Sequence, residues 1–267
     1  MAPRLALASA LGAALVLLAV SPPTPTVAAA AAAPGLLVPA YFDPTGKTGT
    51  GLWDTLTQTA GAGKVNVTAI MNPDNGPGSS ELGYYVSAMR SFRAAHGTLL
   101  GYVPTAEGKK SQKWVVQQAQ RYVDWYDVDG IFLDEMPDTD ARLSAYEGYA
   151  AGIRALKPGV VIVGNPGTAI PAAYLAVADV LMTFEDNAKS YLGGGYQAPS
   201  WGASQPPSRQ AVIAYDAKES QLSTLVGESV GRRYGWMFFT SSNLPNPYAN
   251  LGSSGFWQAL VSATAGA

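Results

Sequence analysis

Beyond residue 34 the chain alternates between short apolar runs and longer stretches of mixed polarity. Eight runs stand out: 35–42 (GLLVPAYF), 65–71 (VNVTAIM), 99–104 (LLGYVP), 130–135 (GIFLDE), 160–165 (VVIVGN), 179–185 (DVLMTFE), 210–215 (QAVIAY) and 235–241 (GWMFFTS). Most are continuously apolar, the pattern of parallel strands covered on both faces. Helix-compatible stretches separate them at 80–96, 111–126, 141–156, 217–229 and 254–264. Ser80 before the first of these and Gly97 after it read as a cap pair. The segments after the first, fifth and sixth runs have weaker helical patterns. Eight strands alternating with helices predict an α/β fold, a single (β/α)8 TIM barrel over residues 35–267. The rival is a doubly wound open sheet, which more often has fewer strands and a Gly-rich phosphate turn after the first. Here the first run ends in Tyr41-Phe42-Asp43-Pro44, with no such turn. No linker and no fixed-period repeat interrupts residues 35–267.

Residues 1–34 belong to a different pattern. Arg4 precedes an apolar run from Leu5 to Val20, and a Pro/Thr stretch and an Ala run follow. Charge, apolar stretch and small-residue exit are the parts of a secretory signal peptide. The run, about 16 residues, falls short of the roughly 20 that a spanning helix needs. The expectation is export with cleavage, leaving a secreted chain with no membrane attachment. Arg4 is the one charged residue of that leader, so a chain starting at residue 35 carries a net charge of −3. Such a balance argues against a nucleic-acid partner. With no Cys in the sequence, stability outside the cell must come from a packed core and not from disulfides. The expected state is a monomer.

In a (β/α)8 barrel the reactive face lies at the C-terminal ends of the strands. Those ends supply Tyr41 and Asp43, Asn72, Tyr102, Asp134 and Glu135, Asn165, Glu185 and Asp186, Tyr215 and Asp216, and Thr240 and Ser241. Strand ends are where any chain turns polar, and one acid there is most simply an ion pair or a cap. Three carboxylates closing the apolar fourth and sixth runs, among tyrosines, ask for more. Glycosidic bond cleavage needs one carboxyl group protonated and a second ionised, on opposite sides of the bond. Asp134 or Glu135 together with Glu185 can supply the pair. Asp134 and Glu135 have opposite strand parity, so one of them is expected to point into the barrel. Tyr41, Tyr102, Tyr215 and Trp236 offer ring faces for sugar C–H faces, and Asn72 and Asn165 can bind hydroxyls. Carboxylates could also hold a hard cation, yet no DxDxDG-type loop occurs. His96 is the only histidine, expected at the exposed end of a helix, so zinc held by several His or Cys is excluded. No metal and no cofactor is expected.

Taken in order, MNPDNGPG (71–78), LGYVPT (100–105), GIFLDEMP (130–137), NPGT (165–168) and FEDNAKSY (184–191) resemble the motifs of the spherulin-4-like family. The match runs from residue 36 to about 262. That family includes fungal glycoside hydrolases acting on galactosaminogalactan. The resemblance implies a (β/α)8 barrel and endo-hydrolysis of an α-1,4-linked N-acetylgalactosamine polysaccharide. It maps the family's Asp-Glu pair onto Asp134 and Glu135 and its later glutamate onto Glu185, with Asp134 as nucleophile and Glu185 as acid/base. One departure lies at Ala106-Glu107-Gly108, where an aromatic is expected near 107. The acids Asp43, Asp74, Asp138 and Asp186 would suit a partly deacetylated, cationic chain. The rival readings are a non-catalytic glycan-binding cell-surface or coat protein and a carboxylate–metal hydrolase.

Overall fold

The computed structural model describes residues 33–267; residues 1–32 of the expected leader lie outside them. Eight parallel strands close into a barrel in sequence order: β1 (Gly35–Ala40), β2 (Val67–Met71), β3 (Thr98–Pro104), β4 (Gly130–Asp134), β5 (Val161–Gly164), β6 (Val180–Asn187), β7 (Gln210–Tyr215) and β8 (Trp236–Phe239). The single (β/α)8 barrel is therefore the fold. Every residue of β1 and β2 is buried, because one side chain faces the barrel axis and the next faces a helix. That is why these segments read as unbroken apolar runs.

The covering helices are α1 (Gly46–Gly61), α2 (Gly83–Ala94), α3 (Gln112–Tyr126), α4 (Leu143–Arg154), α5 (Ala188–Leu192), α6 (Leu222–Gly231) and α7 (Ser254–Ala265). Helix α1 forms fully despite its Gly/Thr-rich composition, since Trp53, Leu56 and Ala60 fall on one buried stripe. After β5 the chain makes only a 3₁₀ turn, Ala172–Ala176. Pro166 and Pro171 in that interval supply no N–H and disfavour helix in the residues before them. Helix α2 ends differently from the sequence expectation. His96, not Gly97, takes the left-handed position (φ 67°), and the amides of His96 and Gly97 bond back to Arg93 and Phe92 carbonyls at 2.9 and 3.0 Å. Gly97 is needed for space, because a Cβ there would lie 2.3 Å from the Phe92 ring.

Strand alternation decides what the barrel presents. Leu37, Thr68, Leu100, Val161, Val163, Val180 and Trp236 enclose a cavity of about 200 Å³ at the N-terminal end of the strands. Stepping by two residues from this lower layer leads inward to Tyr41, Asn72, Tyr102 and Asn165 at the opposite mouth. Phe132, which stacks on Tyr102 at 6.2 Å, leads in the same way to Asp134. Strand β6 breaks the count. Met182 pairs with Ala211 and Phe184 with Val212, so Thr183 is an extra residue in the ladder. Thr183 bonds the buried Tyr234 hydroxyl, and Phe184 packs on Tyr191. Without this bulge the parity of Val180 and Met182 would send Glu185 outward. With it, Glu185 pairs in register with Ile213 and turns to the barrel mouth.

Candidate active site

At the C-terminal mouth of the barrel one side-chain amide joins the two candidate acids. Asn165, at the end of β5, donates from Nδ2 to Asp134 Oδ1 at 2.8 Å and to Glu185 Oε2 at 2.6 Å. Its Oδ1 accepts the Gly167 amide at 2.8 Å, which fixes which end of the side chain carries the hydrogens. Since one nitrogen reaches both acids, those two oxygens are no more than about 5.4 Å apart. The remaining oxygens are also held. Tyr102 donates to Asp134 Oδ2 at 2.7 Å, and the hydroxyl of Tyr248 donates to Glu185 Oε1. The turn after β5 secures the arrangement from behind, with the Gly167 carbonyl accepting the Glu185 amide at 2.9 Å. Gly167 sits at φ +66°, a conformation that a side chain would strain.

Burial raises the pKa of both acids. For Glu185 the next cause is the charge of Asp134; bonds from Tyr248 and Asn165 pull the other way. For Asp134 burial again leads, opposed by bonds from Tyr102, the Glu135 backbone and Asn165. Glu185 is the better place for a proton, because the Asp134 charge adds to burial in raising it, while Asp134 has three donors opposing its protonation and Glu185 has two. The Glu135 charge is a smaller cause raising Asp134. The neighbouring phenols stay neutral. Burial first, then the charges of Asp134 and Glu185, raise Tyr41, and burial with the Glu185 charge raises Tyr248.

The family model of spherulation-specific family 4 matches residues 35–264. The chain belongs to that family. A curated relative, Spherulin-4 of Physarum polycephalum, is 34% identical over 205 residues, 73% of this chain and 59% of the relative. This family member thus spans well under two thirds of that relative's length. Among solved structures, Sph3 of Aspergillus clavatus in complex with GalNAc is 26% identical with a TM-score of 0.75, covering 87% of this chain and 98% of Sph3. The glycoside hydrolase domain of PelA from Pseudomonas aeruginosa shares the fold at 13% identity and a TM-score of 0.50, over 83% and 98% of the two chains. A chitinase from Rhizomucor miehei does so at 10% identity and 0.52, over 85% and 99%.

The other expected site residues divide. Tyr41, Asn72 and Tyr215 line a cleft of about 620 Å³ together with Glu185. Asn72 also accepts the Gly76 amide at 2.9 Å, and Tyr215 donates to Asp186 at 3.0 Å. Burial opposes ionisation of Asp186, but bonds from Asn187, Ser190 and Tyr215 outweigh it and hold the carboxyl below its usual range. Glu135 does not join the pair. It is exposed, has left-handed backbone (φ 57°), and accepts the Ala106 amide at 2.9 Å on its own carboxylate. Opposite strand parity separates it from Asp134. Trp236 is also misplaced by the sequence reading. It opens β8 instead of closing it, lines the lower cavity, and donates to Ser208 O at 3.3 Å. At the departure from the family pattern, Glu107 is exposed and pairs with Lys109. Sequence reasoning missed Tyr248. It comes from the Pro/Asn-rich segment between β8 and α7, and its ring meets Tyr41 edge-on at 5.7 Å.

Proposed function

We propose that the protein is a glycoside hydrolase that cuts within an exopolysaccharide containing N-acetylgalactosamine or galactosamine. The observation that carries the reading is the acid pair at the mouth of a barrel cleft, with facing oxygens no more than about 5.4 Å apart. Retaining glycosidases hold their carboxyl groups ~5–5.5 Å apart and inverting ones roughly 6.5–9.5 Å. The separation favours retention. Asp134, with both oxygens pre-aligned by Tyr102 and Asn165, attacks the anomeric carbon as Glu185 protonates the departing glycosidic oxygen. Glu185 then takes a proton from water, and that water releases the sugar from Asp134. Tyr41 and Tyr215 give ring faces along the cleft. Similarity to Sph3, whose crystals held GalNAc, supports the choice of sugar. The leader at 1–34 supports secretion, and among the described residues no helix is long and apolar enough to cross a membrane. We take the working form to be a monomer.

The test is an activity screen on galactosaminogalactan, partly deacetylated glucosamine polymers and α-galactans, read by reducing ends and product mass spectrometry. Wild-type protein should release oligosaccharides from the first, with the anomeric configuration preserved in the initial product. Asp134→Asn should bind the same polymer and release nothing. Binding by wild-type protein without cleavage of any polymer would overturn the reading in favour of a glycan-binding role.

A further inference from the structure

Every polar atom of the acid pair is accounted for by the barrel strands and the turn after β5, with one exception. Glu185 Oε1 is held from outside the barrel, by the hydroxyl of Tyr248. We propose that Tyr248 is a positioning residue for Glu185: delivered by the loop between β8 and α7, it fixes Oε1 and sets the pH at which Glu185 releases its proton. The activity side of this proposal rests on the glycoside hydrolase reading above.

The loop is built to present that hydroxyl. Asn246 Oδ1 accepts the Tyr248 amide at 3.1 Å, and Thr240 Oγ1 donates to the Pro247 carbonyl at 3.4 Å. Further along, Asn250 Oδ1 accepts Ser242 Oγ at 3.0 Å and the Gly252 amide at 2.7 Å. Tyr248 itself is 8% exposed, and its ring is set between Tyr41 at 5.7 Å and Phe238 at 6.4 Å. A buried phenol donating to a carboxylate favours the ionised acid, since the bond is stronger when the acceptor is charged. Tyr248 therefore opposes the burial and the Asp134 charge that push Glu185 toward its neutral form. Asn165 does the same at the other oxygen, but it also holds Asp134 and so cannot tune one acid alone. The other titratable groups that face Glu185 are Asp134 on β4, Tyr41 beyond β1, Tyr102 on β3 and Tyr215 on β7, with Asp186 the next residue along β6. Of these, Tyr102 is committed to Asp134 and Tyr215 to Asp186. The same loop also forms one wall of the cleft through Leu244, Pro245, Asn246 and Pro247. A chain bound there rests on the segment that carries Tyr248.

The experiment is a carboxyl NMR titration of protein labelled with carbon-13 at Glu, with the Glu185 resonance assigned by its loss in Glu185→Gln. In Tyr248→Phe the Glu185 titration should move up by about one to two pH units, the worth of one hydrogen bond to a charged acceptor. The basic limb of the kcat profile should move by the same amount. 3-Fluorotyrosine at position 248, a stronger donor of nearly the same shape, should move both below wild type, and it serves if the Phe variant does not fold. An unchanged Glu185 titration in a folded variant overturns the proposal. If the titration moves and the kcat profile does not, Tyr248 positions Glu185 but Glu185 is not the acid, and the catalytic reading falls instead.

Discussion

Asn165→Asp changes no heavy-atom shape, yet it should be among the most damaging substitutions in the protein. Asn165 spends both Nδ2 hydrogens on carboxylates, at 2.8 and 2.6 Å, while its Oδ1 accepts Gly167 N–H. An aspartate there has at most one hydrogen to offer, and only when protonated. Losing one bond to a charged acceptor costs about 1.5–3 kcal/mol. Ionising the new side chain would set a like charge against each neighbour. At roughly 2.7 Å and an effective dielectric constant of about 20, each contact costs about 6 kcal/mol. The three acids therefore keep one proton more than wild type. The unfolded chain releases that proton above pH ~3.9, and holding it costs about 1.4 kcal/mol per pH unit beyond that point. The sign follows from a folded pKa raised above the unfolded one: the variant is least penalised below the unfolded pKa and loses ground as pH rises toward the folded pKa. At pH 4 the deficit should be about 2 kcal/mol, and at pH 6 about 5 kcal/mol. With roughly 2–4 °C per kcal/mol at this chain length, Tm should fall by about 4–8 °C at pH 4 and about 10–20 °C at pH 6. Circular dichroism melts of wild type and variant across that range measure both. A deficit independent of pH would refute the bridge between two acids, whatever its size.

Glu185→Gln should be inactive yet more stable than wild type at neutral pH, because burial and the Asp134 charge disfavour its ionised form; the gain should vanish in melts below the unfolded carboxyl pKa, and a loss of Tm at pH 7 would contradict it. Gly167→Ala must adopt φ +66°, at a cost of about 1–2 kcal/mol; it should lower Tm by a few degrees and reduce kcat more than it raises KM, since the same residue holds the Glu185 amide. Trp236→Ala should lower Tm while leaving KM unaltered, because the ring packs near Gly35 at the far end of the barrel; a raised KM would return Trp236 to the cleft.

Strand number, order and class were legible because burial on both faces imposes unbroken apolar runs, and each of the eight runs became a strand. The ends of β2 to β5 were legible for a second reason. Alternation along an extended strand is rigid, so Asn72, Tyr102 and Asn165 could be placed at the mouth and Asp134 and Glu135 read as having opposite parity, while which of those two faces inward was settled only by the structure. Trp236 failed for a different reason: it stands at the start of its run, whose C-terminal end is marked by Thr240 and Ser241, so strand direction puts its ring at the far end of the barrel from the cleft.

Other features were decided only by the tertiary structure. Nothing in Val180–Glu185 announces that Thr183 will stand outside the ladder, and that single extra residue turns Glu185 inward. The bulge is a property of two strands pairing with each other, not of one segment. Tyr248 lies 63 residues from Glu185 in sequence, and a loop tyrosine among Asn and Pro has no periodicity to betray its target. The double donation of Asn165 likewise exists only once β4, β5 and β6 lie side by side. Local sequence determines which face a side chain takes along a regular strand, because that depends on backbone geometry alone. Barrel closure determines which of those side chains meet, because it brings together residues that share no local signal.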